Sequence, residues 1–369
     1  MNRTTFALLI AAAFCVKTAR AEWPFFRGDE DATGVAATAL PRRPELLWSY
    51  TSEDSGFEAT AVITGGTLYV GDYDGRFRAH QLSDGEPVWT ATFEDTGFLS
   101  AAAVVDGKVY VGDENGVVRC LDAADGGLVW EYAAAGEVYG GVNVHQGAVL
   151  VATESGQLVS IDADSGEKQW EYTVDSPLRC WPLVSESRVL LAGCDSVLHA
   201  VDVRNGEETE SIEIQGPTGA TAALVDGDVY FGTYDGVFYR TQTSPLQKVW
   251  EYRDPPKLRE IIASAACNGE TVVLGGRGRT VYALDAAEGG LQWKTTTKGT
   301  MESSPVIVGD AAYYATGRGR LFGVGLKDGD ERWTFEAGGS FKASPGVSEG
   351  RLVIGNTDGV LYCFGERGG

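Results

Sequence analysis

The 369-residue chain has only three histidines, and none of its six cysteines stands beside another or in a Cys-x-x-Cys spacing. His80, His145 and His199 fall in different columns of the repeat described below, so they are read as scattered strand residues and not as a metal site. Basic residues are also scarce: 30 Lys and Arg against 52 Asp and Glu give a formal charge of −22. No basic stripe runs with aromatic residues, which argues against binding nucleic acid through its phosphates. No phosphate loop occurs. Asp162-Ala163-Asp164-Ser165-Gly166 starts like a Ca²⁺ loop, but no glutamate closes it, and it reads as a hairpin turn. Gly317-Arg318-Gly319 begins like a nucleotide fingerprint with no helix to follow. No apolar run reaches membrane-spanning length; the longest, Phe6 to Val16, is too short.

Glycine is what the chain has in quantity, 49 residues of it, together with a tryptophan that keeps returning. Trp48, Trp89, Trp130, Trp170, Trp250, Trp293 and Trp333 are spaced by 40 to 43 residues, with one double step of 80. The missing member of the double step is Glu210, in GEETESIEI, which aligns with GEKQWEYTV. A period in this range with several strands per unit is the signature of a propeller blade. In the second unit FLSAAAVV, KVYVG, VVRCLD and LVWEYAA read as strands A to D, separated by turns rich in Gly, Asp and Asn. The tryptophan falls on strand D just after the turn, where its ring can wedge against the next blade. Glu210 leaves one joint without an indole, and that joint is expected to be the weakest.

The last unit ends after strand C, and PELLWSY precedes any strand A. Residues 45–50 are therefore expected to supply strand D of the last blade and remove two open sheet edges. The predicted fold is all-β: an eight-bladed propeller of four-stranded antiparallel blades, closed by the N-terminal strand. Residues 1–21 read as a signal peptide with Ala19-Arg20-Ala21 as the cleavage site, 22–44 as a leading segment, and 45–369 as the propeller. Cys15 is not read as a lipoprotein anchor, because bulky Phe14 precedes it. The mature protein is expected to be periplasmic or secreted, and monomeric. Its five cysteines, Cys120, Cys180, Cys194, Cys267 and Cys363, leave at least one free thiol; a Cys180–Cys194 bridge stays open and is not favoured.

The units LDAADGGLVW, IDADSGEKQW and LDAAEGGLQW resemble the tryptophan-docking motif of the quinoprotein, or PQQ-repeat, β-propeller superfamily. That superfamily includes pyrroloquinoline-quinone alcohol dehydrogenases and BamB-like, non-catalytic secreted members. The resemblance covers residues 45–364, and Trp23-Pro24-Phe25-Phe26-Arg27-Gly28 is similar to the start of many secreted members. In the dehydrogenases the resemblance implies a quinone under a vicinal disulfide, Ca²⁺ on side-chain oxygens, and a covering insertion. This chain has no vicinal cysteines, and its blades are of near-minimal length. No cofactor is therefore expected, with PQQ and Ca²⁺ as the alternative.

Two groups of residues stand out for binding. The starts of the A strands form a column, Glu58, Leu99, Tyr139, Arg179, Gly219, Ile262, Glu302 and Lys342, which is placed at the channel mouth. Of these Glu58, Tyr139, Arg179, Glu302 and Lys342 are candidate ligand or partner contacts, and an internal ion-pair network is the competing reading. The B–C turns of units six and seven carry Arg277, Arg279, Arg318 and Arg320. The matching turns of units one, two and five carry Asp72, Asp74, Asp113, Glu114 and Asp235, expected to form an opposing negative side. The functional expectation is a non-enzymatic scaffold that binds an envelope protein or peptide through this turn face. The alternatives are a quinoprotein, perhaps a degenerate dehydrogenase, and a small-ligand or carbohydrate sensor.

Overall fold

A computed structural model describes residues 22–255 and 257–367. The proposed leader, its cleavage site and Cys15 lie outside them. The described residues form eight antiparallel sheets of four strands, one per repeat, with no helix and with the short A strand innermost. Blade one is typical: Val62–Thr64, Thr67–Gly71, Arg76–Gln81 and Pro87–Thr92 pair in sequence order. Strands B and C are buried almost throughout, whereas strand D alternates between half-buried and exposed. That is the burial expected of sheets stacked face to face around an axis.

The ring closes as the repeat phase requires. Glu45–Thr51 pairs antiparallel with Val360–Gly365, from Glu45 opposite Gly365 to Thr51 opposite Val360. The last blade thus takes strand D from the beginning of the chain and strands A to C from its end.

Each seam between blades repeats one contact. In all eight blades the C–D pairing slips by one residue just before the docking position. Such a bulge re-aims the side chain that follows it. At six seams that side chain is a tryptophan whose Nε1 donates to a carbonyl oxygen in the next blade's C–D turn, at 2.7–3.2 Å. The indole lies flat on a glycine of the same turn: Gly85, Gly126, Gly166, Gly206, Gly289 or Gly329, all with positive φ. A Cβ on any of them would stand 2.6–2.8 Å from the ring. The turn conformation and the indole therefore both require glycine there. Trp130 and Trp293 are buried and the other docking tryptophans half-buried, because strand D is the outer edge.

Two seams differ. Trp333 has no C–D turn to sit on, since the eighth blade joins two chain ends, and it packs edge-on against Phe364 with centroids 5.3 Å apart. Glu210 makes polar contacts in place of an indole. Its Oε1 accepts the Leu246 N–H at 3.0 Å, and its Oε2 meets Arg188 Nη1 at 3.3 Å.

Residues 22–38 do more than precede the propeller. Trp23 exchanges both backbone hydrogen bonds with Ile63 of blade one at 2.8 Å, and Pro24 O accepts from Val104 of blade two. Asp31, Thr33 and Gly34 accept from Leu224, Cys267 and Ile307 of blades five, six and seven. Val35–Ala36 then adds a parallel fifth strand to blade seven. The segment therefore crosses the axis and closes the channel at the end away from the A-strand starts. Trp23, Phe25 and Arg27 are buried in this floor. All five cysteines are free thiols, Cys194 half-buried and the rest buried.

The seam geometry predicts an order of stabilities. Trp130→Ala removes an indole hydrogen bond and a packed ring, and should cost about 3–5 kcal/mol. Glu210→Ala should cost less, about 1–3 kcal/mol, by removing the Arg188 ion pair and stranding the Leu246 N–H, while Arg188 keeps its bond to the Thr243 carbonyl oxygen. Urea unfolding of the two variants checks this, and the reverse order would contradict it.

Candidate functional site

The A strands begin at the open end of the channel, and the B–C turns lie at the same end. Together they line a cavity of about 460 Å³ whose base is the Phe26 ring. The five mouth residues singled out in the sequence, Glu58, Tyr139, Arg179, Glu302 and Lys342, all line it. Glu58 is the hub on one side. It accepts from Tyr73 Oη at 2.6 Å, from Lys342 Nζ at 2.9 Å and from Tyr139 Oη at 3.4 Å. Arg179 forms a bidentate pair with Glu154, at 2.6 and 3.0 Å. Glu302 meets Arg277, which also bonds Glu260 at 3.1 Å.

Every cation of the mouth is thus held by a glutamate, and the acids outnumber the bases. Glu137 also lines the cavity. Desolvation, together with nearby Glu154 and Glu114, raises its pKa. Desolvation and the Glu58 charge push Tyr139 up to about 12, and burial plus the Glu58 hydrogen bond raise Tyr73 as well. Hydrogen bonding to Glu154 raises Arg179.

A second layer lies two residues further along, on the segment that leads into each A strand. Thr60, Thr221, Ser264, Ser304 and Ser344 occupy one repeat column on five consecutive blades, and all line the cavity. Each hydroxyl oxygen accepts a backbone N–H from the preceding blade, at 2.9–3.0 Å: Trp181 to Thr221, Thr221 to Ser264, and on round to Thr60. The column breaks at Ala101 and Gly141, where buried Trp181 fills the space and its Nε1 donates to Val142 O at 2.7 Å. The arc was readable in the sequence, two positions beyond the charged column. Small hydroxyl residues draw less attention than charges.

Of the four turn arginines, the structure brings only Arg277 to the mouth. Arg320 sits at the start of strand C and pairs with Glu336 at 2.6 Å. Arg279 and Arg318 are exposed and form no ion pair among the described residues. Three further exposed cations join them: Lys257, Arg259 and Lys298. The segments that carry these residues are laced together by backbone hydrogen bonds. Arg277 donates to Glu260, Thr297 to Arg279, and Gly317 to Thr300. Gly278 is tight against them, since a Cβ there would collide with the Lys257 carbonyl oxygen.

The expected negative side is smaller than the sequence implied. Asp72 and Asp113 are fully buried. Their Oδ1 atoms accept turn N–H groups at 2.8–3.0 Å, and their Oδ2 atoms pair with Arg78 and Arg119 at 2.6 and 2.5 Å. They staple their own turns, as Asp commonly does. Asp74 is partly taken up by Arg76, at 2.9 Å.

Comparison with known proteins follows this geometry. A PQQ-repeat family described as outer membrane protein assembly factor BamB matches residues 33–138, 114–296 and 277–369. No curated protein sequence matches the chain. Among solved structures, BamB from Moraxella catarrhalis superposes with a TM-score of 0.76 at 18% identity, over 88% of this chain and 98% of that one. Quinohemoprotein alcohol dehydrogenase from Comamonas testosteroni gives 0.82 at 15% identity, over 96% of this chain and 82% of that one. The computationally designed Ika8 protein gives 0.78 at 14% identity, over 87% and 100%. At these identities the superpositions establish the fold alone.

The shared hub at Glu58 has a titration consequence. Its negative charge and hydrogen bonds oppose ionisation of Tyr73 and Tyr139. In Glu58→Gln at least one of these tyrosines should deprotonate at lower pH than in the parent. Ultraviolet difference titration of the parent against Tyr73→Phe and Tyr139→Phe controls assigns it, and an unchanged alkaline profile would contradict the network.

Proposed function

This chain belongs to the family of the outer membrane protein assembly factor BamB, and from that premise we propose that it is a non-enzymatic envelope scaffold. It docks an acidic segment of a protein partner on its turn face. The observation that carries this reading is the group of five exposed, unpaired cations, Lys257, Arg259, Arg279, Lys298 and Arg318, on adjoining segments. In a chain of formal charge −22, five exposed cations gathered on adjoining segments make a local positive patch that an acidic partner could meet. Arginine forks suit carboxylates in bidentate pairs, and a local positive field steers an acidic partner. The reading includes a periplasmic or secreted location and a monomeric propeller.

The quinoprotein fold raises the question of a quinone. Pyrroloquinoline quinone is a tricarboxylate. At the mouth it would face Glu58, Glu137, Glu154 and Glu302, while Lys342, Arg179 and Arg277 are already held by glutamates. No group of three or more metal-ligating side chains occurs among the described residues. The residues present do not fit the quinone with its Ca²⁺.

Two measurements test this reading. The Arg259→Ser/Arg279→Ser/Arg318→Ser variant should keep its fold, since exposed changes usually cost under about 0.5 kcal/mol each. It should lose the salt-sensitive partners that the parent cross-links in an envelope fraction. Recovery of the same partners with the same salt dependence would contradict docking there. Titration of the parent with pyrroloquinoline quinone and Ca²⁺ should show no saturable binding and support no alcohol oxidation. Turnover lost on Ca²⁺ chelation would overturn the non-enzymatic reading.

A further inference from the structure

The channel holds a second, separate arrangement that turn-face docking does not use. The hydroxyl arc of Thr60, Thr221, Ser264, Ser304 and Ser344 is held in place because each oxygen accepts a neighbour's backbone N–H. None of the five hydroxyls donates to an acceptor among the described residues. A hydroxyl carries one donor hydrogen besides its acceptor lone pairs, so five oriented O–H groups face one space with nothing to bond. They form an arc of donors suited to an oxyanion.

Below the arc lies Arg27, wholly buried, with Nη2 donating to the carbonyl oxygens of Ala265 and Pro305, the residues that follow Ser264 and Ser304. Its Nε and Nη1 have no partner, and it forms no ion pair among the described residues. Burial lowers its pKa to about 9, so it is still a cation at neutral pH. Asp29 offsets part of the cost of burying this charge from beyond ion-pair distance, and a negative group in the cavity above would offset more.

The opposite end of the cavity has the opposite character. Glu137 is there without an ion-pair partner among the described residues, beside Glu58, and both line the mouth. The mouth column and the hydroxyl column are two residues apart on the segment that leads into each A strand, with a bend between them. On blade two the two columns are Leu99 and Ala101, which give the cavity an apolar strip on that side. With donors deep, an apolar strip on one side and an unpaired carboxylate at the opening, we infer that the channel binds a small zwitterion, with its carboxylate on the hydroxyl arc and its cationic end at Glu137.

The probe is ε-aminocaproate, which carries a carboxylate and an ammonium at opposite ends of an apolar chain, with caproate and hexylamine each lacking one end. In isothermal titration of the whole protein, ε-aminocaproate should bind saturably, and roughly tenfold more tightly than either control, the weight of one charged hydrogen-bonded contact. Ser264→Ala/Ser304→Ala should weaken ε-aminocaproate and caproate alike. Because that variant strands two backbone N–H groups, Glu137→Gln serves as the independent test. It should erase the advantage of ε-aminocaproate over caproate and leave caproate unchanged. The turn-face triple serine variant should bind ε-aminocaproate as the parent does, which separates this site from docking. Absence of saturable binding, hexylamine binding as tightly as ε-aminocaproate, or indifference to Glu137→Gln would overturn the inference.

Discussion

The structure depends on an indole laid flat on a glycine. A bulge in strand D aims the ring, a left-handed glycine in the next blade receives it, and a carbonyl oxygen of the same turn takes its N–H. Each of these parts is cheap alone. Repeated around the ring, they set the spacing of the blades and so the width of the channel. The two seams without this contact are instructive. At Trp333 the glycine turn is absent because the eighth blade is assembled from both chain ends. Glu210 reaches the next blade with a carboxylate that accepts a backbone N–H, so the expected weak joint still has a directional bond across it.

Closure from two distant parts of the chain gives the leading segment its importance. Having supplied contacts to the inner strands of five blades, residues 22–38 turn the channel from a tube into a cup. Phe26 becomes its base, and Arg27 is trapped beneath. The polar residues of the mouth are arranged against one another, because charges that point into the narrow channel must find partners. The turns on the rim face no such demand, and there five cations remain unpaired.

The blades, the closure and the mouth column could be read from periodicity, since each is a position repeated at a fixed phase. What periodicity does not reveal is direction and burial. Asp72 and Asp113 looked like exposed turn acids, but the turn N–H groups draw their carboxylates inward. Arg320 looked equivalent to Arg318, yet strand C begins at it and turns it toward Glu336. Lys257, Arg259 and Lys298 escaped notice because they lie in interblade connections outside the B–C turns. The floor was invisible for a different reason: residues 22–38 belong to no repeat, so only tertiary contacts place them. The same limit separates fold from function, because an assembly factor, a dehydrogenase and a designed protein share this ring.

The central claim is that a partner meets the rim formed by blades five to seven. Hydrogen exchange of the protein, free and cross-linked to its envelope partner, tests it most directly. The account predicts slowed exchange in residues 257–260, 276–280, 297–300 and 316–319, with the outer D strands and the C–D turns unchanged. Protection confined to the D strands or to the floor side of the ring would contradict it.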